Sequence, residues 1–140
     1  MKLLKSYLTI LFIILISSCS NKDNKPSPSN YTVDLVKSEL EAFSKHLPIE
    51  GGLGMLITDV DFDDATYTIK YRYQYTVPGV HKPSDSQIKE AKNITVNITK
   101  SLPKEKKLLQ QGFTFRYDYY SLDNEYLFTQ EITKEDLEEN

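Results

Sequence analysis

The sequence predicts one α+β domain: a four-stranded antiparallel sheet with two to three helices on one face, in the order α-β-β-α-β-β. Apolar and polar side chains alternate strictly over residues 66–77 and 113–119, which predicts strands. Apolar residues three or four positions apart predict helices over residues 32–47 and 84–102. This arrangement accounts for every apolar stripe that follows residue 31.

The first helix is expected to begin at Thr32 or Asp34, since either residue can cap it, and to end before Pro48. Its apolar stripe is Val36, Leu40, Phe43 and Leu47. Residues 51–54, Gly-Gly-Leu-Gly, predict a flexible turn with neither helix nor strand preference. Strands at 53–62 and 66–77 then form a hairpin through the turn at 63–65.

The second helix is predicted from Ser84, which forms a capping box with Gln87. A bend is expected at Leu102-Pro103, followed by a further helical turn that ends at the C-cap glycine Gly112. Strands at 113–119 and 126–133 complete the sheet. The residues expected on the core side of this helix are Ile88, Ala91, Thr95, Ile98 and Leu102.

The N-terminus has the features of an export signal. Lys2 and Lys5 precede an apolar run over residues 8–16, which is too short to span a bilayer stably. Small residues then precede Cys19, the single cysteine of the chain. The alternative interpretation is an uncleaved anchor helix with an incidental cysteine.

The segment Leu15-Ile16-Ser17-Ser18-Cys19 is similar to the lipobox of bacterial lipoproteins. The resemblance implies that Cys19 receives diacylglycerol, that a peptidase cuts before it, and that acyl chains such as palmitate anchor the protein. Because Ser20 rather than aspartate follows the cysteine, the resemblance implies the outer membrane if the cell is Gram-negative. The predicted organisation is a leader at 1–18, a polar, proline-containing tether at 19–31 and one domain at 32–140.

The domain also resembles small exported bacterial proteins of uncharacterised function. The shared features are the strand Tyr71-Arg72-Tyr73-Gln74-Tyr75 and a leucine pair followed by Gly112 and an aromatic strand at 116–119. This resemblance implies a fold without an activity.

Charge argues against nucleic acid as a partner. Removal of the leader takes away two of the 17 basic residues and none of the 20 acidic ones, so the mature chain carries a net charge of −5. A polyanion would be repelled.

Catalytic and metal-binding patterns are weak. The spacing of Asp59, Asp61 and Asp63 resembles a calcium loop, but Asp64 and Lys70 stand where an EF-hand needs glycine and glutamate. His46 and His81 are too few for a zinc site, and no nucleophile motif is present. We therefore expect no metal, no cofactor and no enzyme; a metal-dependent enzyme using the three aspartates is the least favoured alternative.

Tyrosines are the most prominent feature of the strands, and they predict either a core face or a recognition surface. The leading hypothesis is an envelope accessory that binds a protein, as an inhibitor, immunity factor or assembly factor. The alternative is a binder of a small ligand or cell-wall glycan that stacks on the rings. The candidate interaction surface consists of Tyr71, Tyr73, Tyr117, Tyr119 and Tyr120.

Overall fold

The computed structural model describes residues 27–138, so the predicted leader, Cys19 and most of the tether lie outside the described residues. Within this range no helix has the length and apolar character needed to cross a membrane. The elements are α1 (Asn30–Ser44), β1 (Ile49–Gly52), β2 (Met55–Asp63), β3 (Thr68–Tyr75), α2 (Asp85–Ser101), α3 (Pro103–Gln110), β4 (Thr114–Tyr120), β5 (Tyr126–Ile132) and a short 3₁₀ turn, Glu135–Leu137.

The sheet has five strands in chain order, and β3 pairs with β4 in parallel while the other pairs are antiparallel. The α+β class with three helices agrees with the prediction, whereas the four-stranded antiparallel sheet was wrong in both strand number and pairing. The parallel pair arises because α2 and α3 connect β3 to β4. A crossover through helices returns the chain to the end from which the previous strand started.

The unpredicted strand is β1, which overlaps the segment expected to be a flexible turn. It pairs with β2 through a register shift between Glu50 and Gly52. A Cβ atom at Gly51 would lie 2.7 Å from Cε1 of Tyr73, so only glycine lets this edge strand approach the tyrosine ring. Long-range packing therefore forms a strand where local propensity gives none.

Helix α1 begins earlier than predicted. Ser29 is its N-cap, and its Oγ accepts a hydrogen bond from the Thr32 backbone N–H at 3.2 Å. The predicted apolar stripe faces the sheet, with Val36 buried and the side chains of Leu40 and Phe43 partly buried.

The predicted boundaries of α2 and α3 are confirmed. The Gln87 backbone N–H donates to Ser84 Oγ and the Ser84 N–H donates to Gln87 Oε1, which completes the capping box. Pro103 opens α3 at a position where a helix needs no N–H donor. Gly112, with φ of 96°, ends α3, because its N–H and that of Phe113 donate to the last carbonyls of the helix.

The predicted core side of α2 was wrong at its C-terminal end. Ile98 and Leu102 are 55% and 41% exposed, while Val96 and Thr99 are buried. Thr99 can face the core because its hydroxyl donates to the Thr95 carbonyl at 2.9 Å, so no polar group is left unsatisfied.

The hydrophobic core lies between the three helices and one face of the sheet, beside the ends where β3 and β4 begin. It contains Val33, Val36, Ile69, Val96, Leu108, Leu109, Phe113, Phe115 and Ile132. The far ends of β3 and β4 extend beyond this core.

Candidate functional site

Four of the five predicted tyrosines form one surface on the helix-covered face of the sheet. The parallel register places Tyr71 beside Tyr117 and Tyr73 beside Tyr119. We call this group the tyrosine floor. It results from alternation, since residues two apart on a strand share a face.

Burial decreases along the two central strands. Ile69 and Phe115, at the start of β3 and β4, are 2% and 3% exposed. The tyrosine floor that follows on the same face is only partly buried. The helical layer therefore seals one end of the sheet and covers the other end incompletely.

The rings of the floor stack on one another. Ring centroids are 5.7 Å apart for Tyr71 and Tyr117 and 5.4 Å apart for Tyr73 and Tyr119, with interplanar angles of 18° and 25°. Phe128 of β5 stacks on Tyr119 at 4.4 Å and extends the second row. The ring faces are thus largely covered by neighbouring rings, and the floor presents ring edges and hydroxyl groups.

Two helices flank the floor. Helix α1 packs on β2, and its Phe43 ring meets the Tyr71 ring edge-on at 6.3 Å. Helix α2 packs on β5, where the Thr95 hydroxyl donates to Gln130 Oε1 at 3.2 Å. Strand β4 lies between β3, which carries the first contact, and β5, which carries the second. Tyr117 of β4 therefore lies between the two helices.

Helix α2 supplies an apolar wall. Its Lys89 and Lys92 line a pocket of about 470 Å³ at the β5 edge of the sheet. At 100° per residue Ile94 and Ile98 lie on the other side of α2 from these lysines and are turned away from the buried Val96 and Thr99. Both side chains are more than half exposed, at 56% and 55%. The tyrosine floor, Phe43, Ile94 and Ile98 together define what we call the tyrosine groove.

Burial holds the floor tyrosines in their neutral form. It raises the pKa of Tyr71 to about 12, with smaller contributions from Tyr73, Glu105 and Glu39. Burial is also the main cause of the raised pKa values of Tyr117, Tyr119 and Tyr73. The groove therefore offers an uncharged surface with hydroxyl groups.

Tyr120 lies on the opposite face of the sheet, away from the groove. The guanidinium carbon of Arg72 is 3.6 Å from its ring centroid. The five predicted residues thus do not form a single surface, because consecutive strand residues point to opposite faces.

The aspartates also lie on this opposite face. Asp59 is paired in register with Arg72, and Asp61 with Lys70. Lys70 Nζ donates to Asp63 Oδ2 at 3.1 Å, and this hydrogen bond is the main cause of the lowered pKa of Asp63. Across residues 27–138, no group of three or more His, Cys, Asp and Glu side chains is placed to hold a metal ion.

Sequence reasoning missed the wall of the groove. Ile98 was expected in the core, and Ile94 was given no role. The sequence shows that Ile94, Ile98 and Leu102 form a second apolar row with spacing four, but it does not show which of the two rows faces the sheet.

Comparison with known proteins shows a shared fold. No protein-family model matches the chain, and no curated protein matches it in sequence. Among solved structures, the chain is similar to EpsS, a pilotin from the Vibrio vulnificus type 2 secretion system (TM-score 0.59, 13% identity, 76% of this chain and 91% of that one). It is also similar to AspS, the type II secretion pilotin of Vibrio cholerae (TM-score 0.55, 18% identity, 73% and 88%). A candidate secreted protein of Pseudomonas aeruginosa has the same fold (TM-score 0.59, 11% identity, 74% and 90%).

Proposed function

We propose that this chain is a lipid-anchored accessory protein of the bacterial envelope that binds a protein partner and acts as an assembly factor of a secretion system. Cys19 carries the anchor, and the tyrosine groove binds the partner. The incompletely covered floor, together with the two exposed isoleucines of α2, is the observation that carries this proposal. The similarity in fold to EpsS and AspS supports the choice of an assembly factor over an inhibitor or immunity factor.

The groove has the composition of a protein-recognition site. Tyrosine combines a large apolar ring with a polar tip and is enriched at protein interfaces. Exposed Ile94 and Ile98 add apolar area that a partner would remove from water. An amphipathic segment of a partner fits this chemistry, with apolar side chains against the wall and polar groups at the hydroxyls.

The floor is a poor platform for sugars. Glycan binding by stacking needs a free aromatic face, whereas the faces of Tyr73 and Tyr119 are turned to each other and Tyr119 also stacks on Phe128. We therefore favour a protein partner over a glycan.

Photocrosslinking in cells tests the proposal. A photoreactive phenylalanine derivative replaces Ile98 in one variant and Tyr73 in another, and Leu53, which is 94% exposed in the β1–β2 turn, is the matched control position. We expect Ile98 and Tyr73 to crosslink the same envelope protein and Leu53 not to do so. Mass spectrometry of the product identifies the partner.

A second substitution tests whether the crosslink depends on the groove. Ile98→Asp places a charge on the apolar wall without changing the core, because Ile98 is exposed, and should abolish the Tyr73 crosslink. Equal crosslinking at all three positions, or none at Ile98 and Tyr73 in correctly localised protein, would contradict the proposal.

A further inference from the structure

We propose a second binding surface, at which the domain rests on the anionic phospholipid headgroups of the membrane to which it is anchored. The surface consists of Tyr31, Leu35, Leu102, Lys104, Lys106 and Lys107, and we call it the basic corner. This inference rests on the lipid anchor of the proposed function and is separate from the tyrosine groove.

The tether places this part of the domain near the membrane. Only residues 20–26 separate Cys19 from Ser27, where the described chain begins, and α1 starts three residues later. Because an extended chain spans at most about 3.6 Å per residue, the eight steps from Cys19 to Ser27 reach about 29 Å at most. The start of α1 therefore stays within about one domain diameter of the bilayer.

The first turns of α1 expose large apolar side chains to solvent. Tyr31 and Leu35 are 78% and 48% exposed. They form a row with spacing four that continues to Glu39, and Glu39 Oε2 lies 2.5 Å from Lys104 Nζ of α3. This ion pair shows that the Glu39 end of the row is adjacent to Lys104 of α3.

Helix α3 supplies positive charge beside this row. Lys107 follows Lys104 by three residues and therefore lies on the same side of the helix. Lys106, two residues from Lys104, is exposed on the other flank of α3, and Leu102, at the α2–α3 junction, is 41% exposed. Residues 100–107 contain four lysines and one acid in a mature chain whose net charge is −5.

These features are complementary to an anionic lipid surface. Lysine clusters next to a membrane are attracted by acidic headgroups, and tyrosine and leucine side chains partition into the interfacial region. The three lysines of the corner outnumber the two adjacent acids, Glu39 and Glu105, in a chain of negative net charge, so attraction orients the domain with the corner toward the bilayer. In this orientation the anchor and the corner act together.

A single-tryptophan probe tests the inference on the full lipidated chain. The protein has no tryptophan, so Tyr31→Trp reports on the corner alone. Tyr126→Trp, at a position 56% exposed on the opposite face of the sheet, is the matched control. Each protein is reconstituted in vesicles of phosphatidylcholine, with or without phosphatidylglycerol, and brominated acyl chains serve as quenchers.

We expect the tryptophan emission of the Tyr31→Trp protein to shift to shorter wavelength and to be quenched only when phosphatidylglycerol is present, with the control unchanged. Adding Lys106→Glu and Lys107→Glu to this protein should abolish the shift, while adding Lys82→Glu, in the loop after β3, should not.

Three other outcomes would overturn the inference. If the Tyr31→Trp protein binds both kinds of vesicle and its tryptophan emission is the same in both, the basic corner is contradicted and the lipid anchor is not. Protein that fails to bind neutral vesicles would contradict the anchor and, with it, this inference. A shift that requires an added envelope protein would assign the corner to a protein partner instead.

Discussion

At the scale of single residues, the floor tyrosines combine two requirements that are usually met by different side chains. Their rings fill the space between α1 and α2, while their hydroxyls keep a partly exposed surface compatible with water. Phenylalanine at these four positions would leave a large apolar patch exposed in the free protein. Tyrosine therefore suits a surface that is free at one time and occupied at another.

Ionisation of these tyrosines should destabilise the fold at alkaline pH. Burial raises the pKa values of the floor tyrosines above about 10, their value in the unfolded chain. The contribution of the neutral tyrosines to the free energy of unfolding is therefore complete below about pH 10. It is lost as the pH rises through the folded-state pKa values, and the pKa of Tyr71 is about 12. We expect the free energy of unfolding, measured in urea, to fall between about pH 10 and pH 12.

A variant in which two floor tyrosines are replaced by phenylalanine separates the effect of tyrosine ionisation from that of lysine titration. Tyr71→Phe combined with Tyr117→Phe should reduce the alkaline loss of stability, whereas Tyr126→Phe, at an exposed position, should leave it unchanged. The same pH dependence in all three proteins would show that the floor hydroxyls do not titrate as their burial requires.

Residue alternation placed Tyr71 with Tyr73 and Tyr117 with Tyr119, because the period of two is a property of the strand itself, whereas Tyr120 was grouped with them against that alternation. It could not predict how much of each ring is exposed, since that depends on where α1 and α2 lie. The exposure of Ile98 was not predictable for the same reason. Two apolar rows run along α2, and only the docking of the helix decides which of them contacts the sheet.

At the scale of elements, the helices were predictable where a local side-chain hydrogen bond defines their ends. The capping box at Ser84 and the glycine at 112 act within a few residues and are visible in the sequence. Strand β1 and the parallel pairing of β3 with β4 depend on contacts far apart in the chain, so no local pattern indicated them.

Removal of the α2 cap should cost a measurable part of the stability. In Ser84→Ala, the Gln87 N–H loses its acceptor, and we expect the free energy of unfolding to fall by about 1 kcal/mol. Ser38→Ala, at an exposed position within α1, should change it by less than about 0.5 kcal/mol. Both effects are measured from the midpoints of urea unfolding curves, provided that the dependence of the free energy of unfolding on urea concentration stays the same. Equal changes in the two variants would mean that the cap does not hold the end of α2.

At the scale of the whole molecule, the two faces of the sheet have different chemistry. One face carries the core and the tyrosine groove; the other carries ion pairs such as that of Arg116 with Asp118 along β4 and with Glu131 across to β5. Exposed ion pairs of this kind keep the face hydrated and add little stability. Recognition is therefore expected on the helical side, where both the groove and the basic corner lie.

Both proposed surfaces require the domain to be held at a membrane, and Cys19 is the residue that would hold it. The most direct measurement is the intact mass of the protein purified from the membrane fraction, compared with a Cys19→Ser variant. We expect a chain that begins at Cys19 and carries diacylglycerol and acyl groups, and a variant that keeps residues 1–18 and lacks lipid. An unmodified Cys19 with the leader still attached, or an unchanged location of the variant, would contradict the account.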